Sequence, residues 1–342
     1  MFKGDWQKEG ESIMVRFEEM VGHEEVIGHL QSVLRSKKVS HSYALVGETG
    51  AGKKMLSRTF AAALLCEKGG DGPCMECDSC KRAQSGNHPD IITVTHEKEN
   101  LIRIEEIREQ LVNDVAIRPY YGPYKVYIVP DAQLLNEAAQ NAMLKTIEEP
   151  PANAVILLLT TNYEALLPTI RSRCVRLDLR LVDNEKIKNY LMEHLHLPDY
   201  EAELDASFGQ GSIGKAMDAA RSEEFRDISH RAVSILKKVD TAAMCDLPDM
   251  IREMSENKEY IGEYLDLFQF WFRDVLMYKA TREMDHLVFK QELGEIRRQA
   301  GEYSYEKLNR ILDSVEKTRL RLRANVNAEL SLELFLLTIK EK

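Results

Sequence analysis

No stretch of the 342-residue sequence approaches the roughly 20 apolar residues of a membrane-spanning helix. Met1–Met14 lack the apolar core of a secretory signal and read as a loose extension, with Met14 an alternative start. The absence of both segments points to a cytoplasmic protein with no membrane partner. Basic residues are in deficit: 46 Lys and Arg face 56 Asp and Glu, for a net charge of -10. That excludes a broad, self-sufficient nucleic-acid surface and leaves room for local basic patches. Cysteines number six, and four of them are clustered, the pattern of metal ligation in a reducing compartment. There is no internal repeat, no low-complexity tract, and no separate pair of metal-binding carboxylates of the kind a polymerase centre requires. An apolar content of 44% with 30% charged residues is ordinary for a globular chain with two or three domains.

The stretch with most chemical content is an apolar strand, Ser42-Tyr43-Ala44-Leu45-Val46, running into Gly47-Glu48-Thr49-Gly50-Ala51-Gly52-Lys53-Lys54. In the pattern G-x-x-x-x-G-K-[S/T] the glycines let the backbone wrap a phosphate. The lysine meets the outer phosphates, and the terminal hydroxyl helps to hold Mg²⁺. Gly47, Gly50, Gly52 and Lys53 suit that task, whereas Lys54 sets an ammonium where the hydroxyl belongs. The bland alternative is a Gly-rich strand-helix turn. Whether such a loop binds or hydrolyses nucleotide is a separate question, and ATP held without hydrolysis is compatible with it. Upstream, apolar residues at helical spacing predict a helix within Val15–Lys38. The Val21-Gly22-His23 turn before them is either simply core-facing or also the border of an adenine pocket, with Val21 lining it.

Cys66, Cys74, Cys77 and Cys80 follow C-x7-C-x2-C-x2-C on a stretch rich in glycine and charge. Four thiolates close a tetrahedral Zn²⁺ site with no position left for water, so the expected metal is structural zinc. A disulfide or redox module is the alternative.

Farther on, Ile91–Thr95, Lys125–Val129 and Ala154–Thr160 read as strands, and Ile102–Val115 and Glu137–Glu149 as helices. This alternation over residues 42–179 predicts a mainly parallel α/β sheet. The strand Lys125–Val129 ends at Pro130-Asp131, with a proline where a metal-supporting acid would stand in an active ATPase. Thr160-Thr161-Asn162, at the end of the next strand, either senses a γ-phosphate through Thr160 or merely turns the chain. Arg171 and Arg173 lie in Ile170-Arg171-Ser172-Arg173-Cys174, as surface charge or as an arginine finger for nucleotide on a neighbouring subunit. Beyond Leu181 the pattern is helical. The expected domains are an extension over 1–14, an α/β P-loop domain over 15–180 with a zinc module at 66–80, a helical lid over 181–240 and an all-α domain over 241–342.

Taken together, Gly47–Lys54, the four cysteines, Asn141-Ala142-Met143-Leu144-Lys145-Thr146-Ile147-Glu148-Glu149-Pro150-Pro151 and Ser172-Arg173-Cys174 resemble the bacterial DNA polymerase III clamp-loader branch of the AAA+ superfamily. The match covers about residues 15–220, and the rest looks like that family's collar domain. The resemblance implies an AAA+ P-loop domain, a helical lid and an oligomerising collar. It also implies a pentameric ring with gamma/tau-like motor subunits and a delta subunit, which loads a sliding clamp onto primed DNA. Within the family, Lys54, Pro130 and Gly214, where motors usually carry arginine, favour a stator-like subunit without ATPase or polymerase activity of its own, and Arg173 becomes the finger acting in trans. The rival is an active AAA+ motor or a repair-associated relative. A zinc-dependent nucleic-acid enzyme fits poorly, because the cysteine site has no open position.

Overall fold

The computed structural model of the chain describes residues 14–98, 101–256, 258–284 and 287–341. The extension expected over 1–14 therefore lies outside the described residues except for Met14, which is buried against Ala62 and Ala83. The chain forms two compact units. Of the described residues, one unit comprises those from Met14 to Ile187 with Gly211–Gly214, and the other Lys188–Gln210 with those from Lys215 onward.

The first unit is a three-layer α/β structure. Strands β1 (Ser42–Val46), β2 (Ile91–Thr93), β3 (Lys125–Val129), β4 (Ala154–Thr160) and β5 (Val175–Asp178) form one sheet in the order β2-β3-β4-β1-β5. All four neighbouring pairs are parallel, with Ser42 opposite Ile156 and Val46 opposite Thr160. Helices α1 (Glu24–Ser36), α2 (Lys53–Leu64), α3 (Asp78–Gln84), α4 (Ile104–Ile107), α5 (Glu137–Glu148) and α6 (Pro168–Arg171) connect or flank the strands. On β4 the side chains alternate. Val155, Leu157 and Leu159 pack with Leu30 of α1 and Leu56 and Phe60 of α2. Ala154, Ile156 and Leu158 pack with Ile107 of α4 and Met143 and Ile147 of α5. Burial on both faces is why Ala154–Thr160 is an unbroken apolar run.

The helix expected within Val15–Lys38 starts at Glu24, directly after the Val21-Gly22-His23 turn, where Gly22 (φ 77°) and His23 (φ 62°) adopt left-handed backbone that no helix can include. Two local expectations are corrected. The helix expected over Ile102–Val115 is the short α4 followed by one wide π turn at Arg108–Val112. The cysteine loop contains a helix: Cys77 caps α3, its sulfur accepting the Cys80 N–H at 3.4 Å.

After β5 the described chain is helical: α7 (Asn184–Leu195), α8 (Asp199–Gly209), α9 (Ile213–Arg221), α10 (Glu223–Lys238), α11 (Leu247–Ser255), α12 (Ile261–Thr281), α13 (Leu293–Glu302), α14 (Tyr305–Arg323) and α15 (Ala328–Lys340). The second unit has its own core around α12, where Phe268, Trp271 and Phe272 are fully buried among Ile311, Val315 and Phe335. Trp271 Nε1 donates to Gln299 Oε1 (2.7 Å) and Gln299 Nε2 to the Leu236 carbonyl (2.9 Å), so the indole leaves no orphan donor. Among the described residues no helix is long and apolar enough to cross a membrane.

Candidate functional site

Because the strands are parallel, the carboxyl ends of β1, β3 and β4 fall along one edge of the sheet, the place where open α/β sheets take ligands. Gly47 joins the loop to its neighbour strand by donating its N–H to the Thr160 carbonyl at 3.1 Å. Gly50 (φ 79°) and Gly52 (φ 85°) take the left-handed backbone that the loop's curl demands. The loop's carbonyls are engaged by the chain itself. Lys53 Nζ donates to Gly47 O (2.6 Å) and Glu48 O (2.8 Å), and Ser212 Oγ to Thr49 O (3.2 Å). The Gly214 N–H donates to Gly50 O at 3.1 Å, and His23 Nε2 lies 3.1 Å from Ala51 O. Burial holds the Lys53 ammonium below its ordinary pKa, with the charges of Asp131 and Glu48 opposing that shift, and burial likewise lowers His23.

Gly214 meets the loop so closely that a Cβ there would stand 2.9 Å from Gly50 O and 3.0 Å from Gly50 Cα. A side chain at position 214 would therefore run into the loop backbone. Lys54 is exposed in the first turn of α2. Asp131, at φ 49°, follows Pro130 and accepts a hydrogen bond from Gln133 Nε2 at 3.4 Å. Thr160 is buried, and its hydroxyl closes the local turn, donating to Asn162 O (2.9 Å) and accepting from Asn162 N (3.0 Å). Val21 lies two residues before His23, and it is the His23 ring that touches the loop. Ser212 and His23 were not among the residues singled out by type; their signal was position, in a turn and in a Gly-rich segment on either side of the domain.

Arg173 lies at the other end of the sheet. Its carbonyl accepts from the buried Ser42 Oγ at 2.9 Å, at the start of β1, whereas the phosphate loop follows the end of β1. Five residues at about 3.3 Å each separate Ser42 from Gly47, or about 17 Å. Its guanidinium bonds Glu148 Oε1 (3.0 Å), Thr169 O (3.0 Å) and Ser172 Oγ (3.3 Å). Glu148 ends α5, and the same helix is tied to the segment before α6 by the buried Gln140, which donates to Leu135 O and Ala165 O (both 3.1 Å) and accepts from Leu167 N (2.7 Å). Arg171 instead pairs with Glu164 and lies over the Tyr163 ring.

Cys66, Cys74, Cys77 and Cys80 come together with all four sulfurs within 4.8 Å of one another. Cys74 Sγ and Cys80 Sγ are 3.9 Å apart. Metal–sulfur bonds of about 2.3 Å in a tetrahedron place sulfurs about 3.8 Å apart, so these residues fit a metal ion of that size. The N–H groups of Cys77 (3.3 Å) and Glu76 (3.5 Å) point at Cys74 Sγ and draw its thiol pKa down to about 6, a ready thiolate.

A parallel five-stranded sheet with a glycine-rich loop between β1 and α2, followed by helices, defines an α/β protein of the P-loop type with a helical second part. The family model described as "DNA polymerase III, delta subunit" matches residues 22–183, and its C-terminal counterpart matches 240–341. A delta-prime subunit of DNA polymerase III from Pseudomonas aeruginosa is 30% identical over 87% of this chain and 90% of its own length. The tau subunit from Bacillus subtilis is 29% identical over 90% of this chain, and this chain spans only 58% of that relative. A gamma subunit-related protein from Thermotoga maritima shares 20% identity, covering 91% of this chain and 98% of its own, at a TM-score of 0.45. The chain belongs to the DNA polymerase III delta-prime family.

Proposed function

We propose that the chain is the stator-like delta-prime subunit of a clamp loader, working in the cytoplasm in a pentameric ring with gamma/tau-like motor subunits and a delta subunit to place a sliding clamp on primed DNA. The observation that carries this reading is the match to a delta-prime subunit over nearly the whole of both chains. The phosphate loop supports the non-motor role. Lys54 replaces the metal-binding hydroxyl, Pro130 replaces an acid, and Gly214 brings backbone against Gly50. ATP binding through Gly47, Gly50, Gly52 and Lys53 without turnover is compatible with these substitutions, whereas catalysis at this loop lacks two supports for Mg²⁺. Zinc held by the four cysteines would be structural, with no open ligand position. Residues 15–180, 181–240 and 241–342 would act as P-loop domain, lid and collar.

Arg173 supplies the chemistry. At about 17 Å along β1 from its own phosphate loop, it serves nucleotide bound by an adjacent motor subunit, neutralising charge on the transferring phosphoryl group. A finger of this kind is worth roughly 10³–10⁵ in rate at the site that it completes. The test is ATPase and clamp loading by the reconstituted ring carrying Arg173→Ala, with assembly checked by sedimentation. Total ATPase is expected to fall in part and loading to fall further; normal loading by an intact ring would make Arg173 a surface charge. Steady ATP turnover by the isolated chain, abolished by Lys53→Ala, would favour the motor reading instead.

A further inference from the structure

At the amino-terminal edge of the sheet, away from the phosphate loop, the segment before β3 is fastened by two acids. Asp114 Oδ2 accepts from Tyr127 OH (2.7 Å) and pairs with the buried Lys125 ammonium (2.7 Å). Farther along, Asp90, 0% exposed, accepts the N–H groups of Tyr120 (2.7 Å), Tyr121 (2.8 Å) and Gly122 (3.3 Å). A carboxylate shut away from water and gripping three consecutive amides fixes the path of that loop.

The side chains that the loop displays lie mostly in water, although the Tyr121 ring also meets the buried His88 edge-on, with ring centroids 6.2 Å apart. Tyr120 is 73% exposed and Tyr121 63%, with Ile117 half-exposed beside them. Rings held out in water by a rigid backbone contribute little burial, and clustered exposure of this kind marks an interaction site. Across from them α3 presents Arg82, its guanidinium 4.8 Å from the Tyr121 ring centroid, and the exposed Lys81. Among the described residues neither of these, nor the exposed Arg118, has a carboxylate at ion-pair distance. The acids of the neighbourhood are committed elsewhere: Asp71 to Arg35, Glu76 to Lys68 and Glu67 to the Ser79 N–H. The exposed Asp78 and Glu76, which feels the Lys81 charge, and the buried Asp90 beneath the loop are the nearby acids. An otherwise acidic chain therefore carries two exposed aromatic rings with Arg82 against one of them, and with Lys81 and Arg118 close by along the chain.

We propose that the Tyr120-Tyr121 loop and α3 form a binding site for single-stranded nucleic acid. The rings stack on bases while Lys81, Arg82 and Arg118 meet phosphates, and because every base has a π-face the site tolerates any sequence. Stacking on a protruding ring requires a base free of its own neighbours, so a strand is taken in preference to a duplex.

The experiment is fluorescence anisotropy of a labelled oligodeoxythymidine titrated with the full chain at low salt. Replacing both tyrosines with alanine is expected to weaken binding about 10-fold or more, and replacing both with phenylalanine to preserve it. Arg118→Ala should reduce the salt dependence by about 0.7 in log–log slope, the signature of one lost phosphate contact on a single strand. A duplex of equal length should bind more weakly than the strand. Undiminished strand binding by the double alanine variant, or a duplex bound as well as the strand, would overturn the proposal. So would unchanged strand binding in a variant that no longer co-sediments with other clamp-loader subunits, which would make the patch a protein interface. Since all these side chains are exposed, matched melting curves will separate loss of binding from loss of fold.

Discussion

Between Cys66 and Cys80 the apolar side chains buried are small, Pro73 and the cysteines Cys77 and Cys80, whereas α12 alone buries Leu265, Phe268, Trp271, Phe272 and Val275. The two regions cohere for different reasons. Burial of large side chains at about 25 cal/mol per Å² is enough to order a helical unit. A segment of that composition has no such resource, and its sulfurs converge from the end of α2, a glycine-rich turn and the first turn of α3. The contrast teaches where cross-linking chemistry is needed: a metal site substitutes for a core where the chain is too short and polar to make one.

The largest effect that can sharpen this contrast comes from metal removal. Elemental analysis should find about one zinc per chain, and peptide sites of this type hold metal with on the order of 10–16 kcal/mol at neutral pH. Chelation or Cys80→Ser is therefore expected to leave residues 66–88 open to proteolysis while the helical unit retains its ellipticity. A metal-free chain with an ordered, protease-resistant module would break the comparison. Next in size is Trp271→Ala, which empties a fully buried site and strands the Gln299 amide. A loss of about 3–5 kcal/mol is expected, read from urea unfolding of the helical unit, with zinc content unchanged.

The smallest effect concerns Asp205 in α8, buried so that its pKa is pushed up to about 7, with the charge of Arg226 opposing. The sign follows from linkage. The folded state holds this proton more tightly than the unfolded state, so stability present near pH 4 is lost as pH rises through about 7. Asp205→Asn should match the parent at pH 4 and exceed it by about 1–2 kcal/mol at pH 8, as removal of an incompletely paired buried charge does. An unchanged pH profile in thermal melts would rule this out.

Much of the fold was legible because its signals are local. Ala154–Thr160 reads as a doubly buried strand and Lys125–Val129 as a strand, and both have those bounds in the structure. The strand-loop-helix turn at Gly47–Lys53 and the convergence of the four cysteines were legible from spacing. Periodicity failed where backbone geometry overrules it, as in the π turn at Arg108–Val112. It also could not show which distant residues meet. That Glu148 bonds Arg173, that Ser212 and Gly214 reach the glycine-rich loop, and that Asp90 grips a loop 30 residues away depend on the assembled sheet. Each of these pairs joins groups that look like ordinary surface residues along the chain.

The grip of Asp90 also sets a clock. Amides in an exposed loop usually trade their hydrogens with water almost as fast as a free peptide, because nothing has to open first. Those of Tyr120, Tyr121 and Gly122 face a buried carboxylate while their neighbours' side chains face solvent. In deuterated water they should therefore keep their protons far longer than the loop's exposure suggests, and release them together, in one event, when Asp90 lets go.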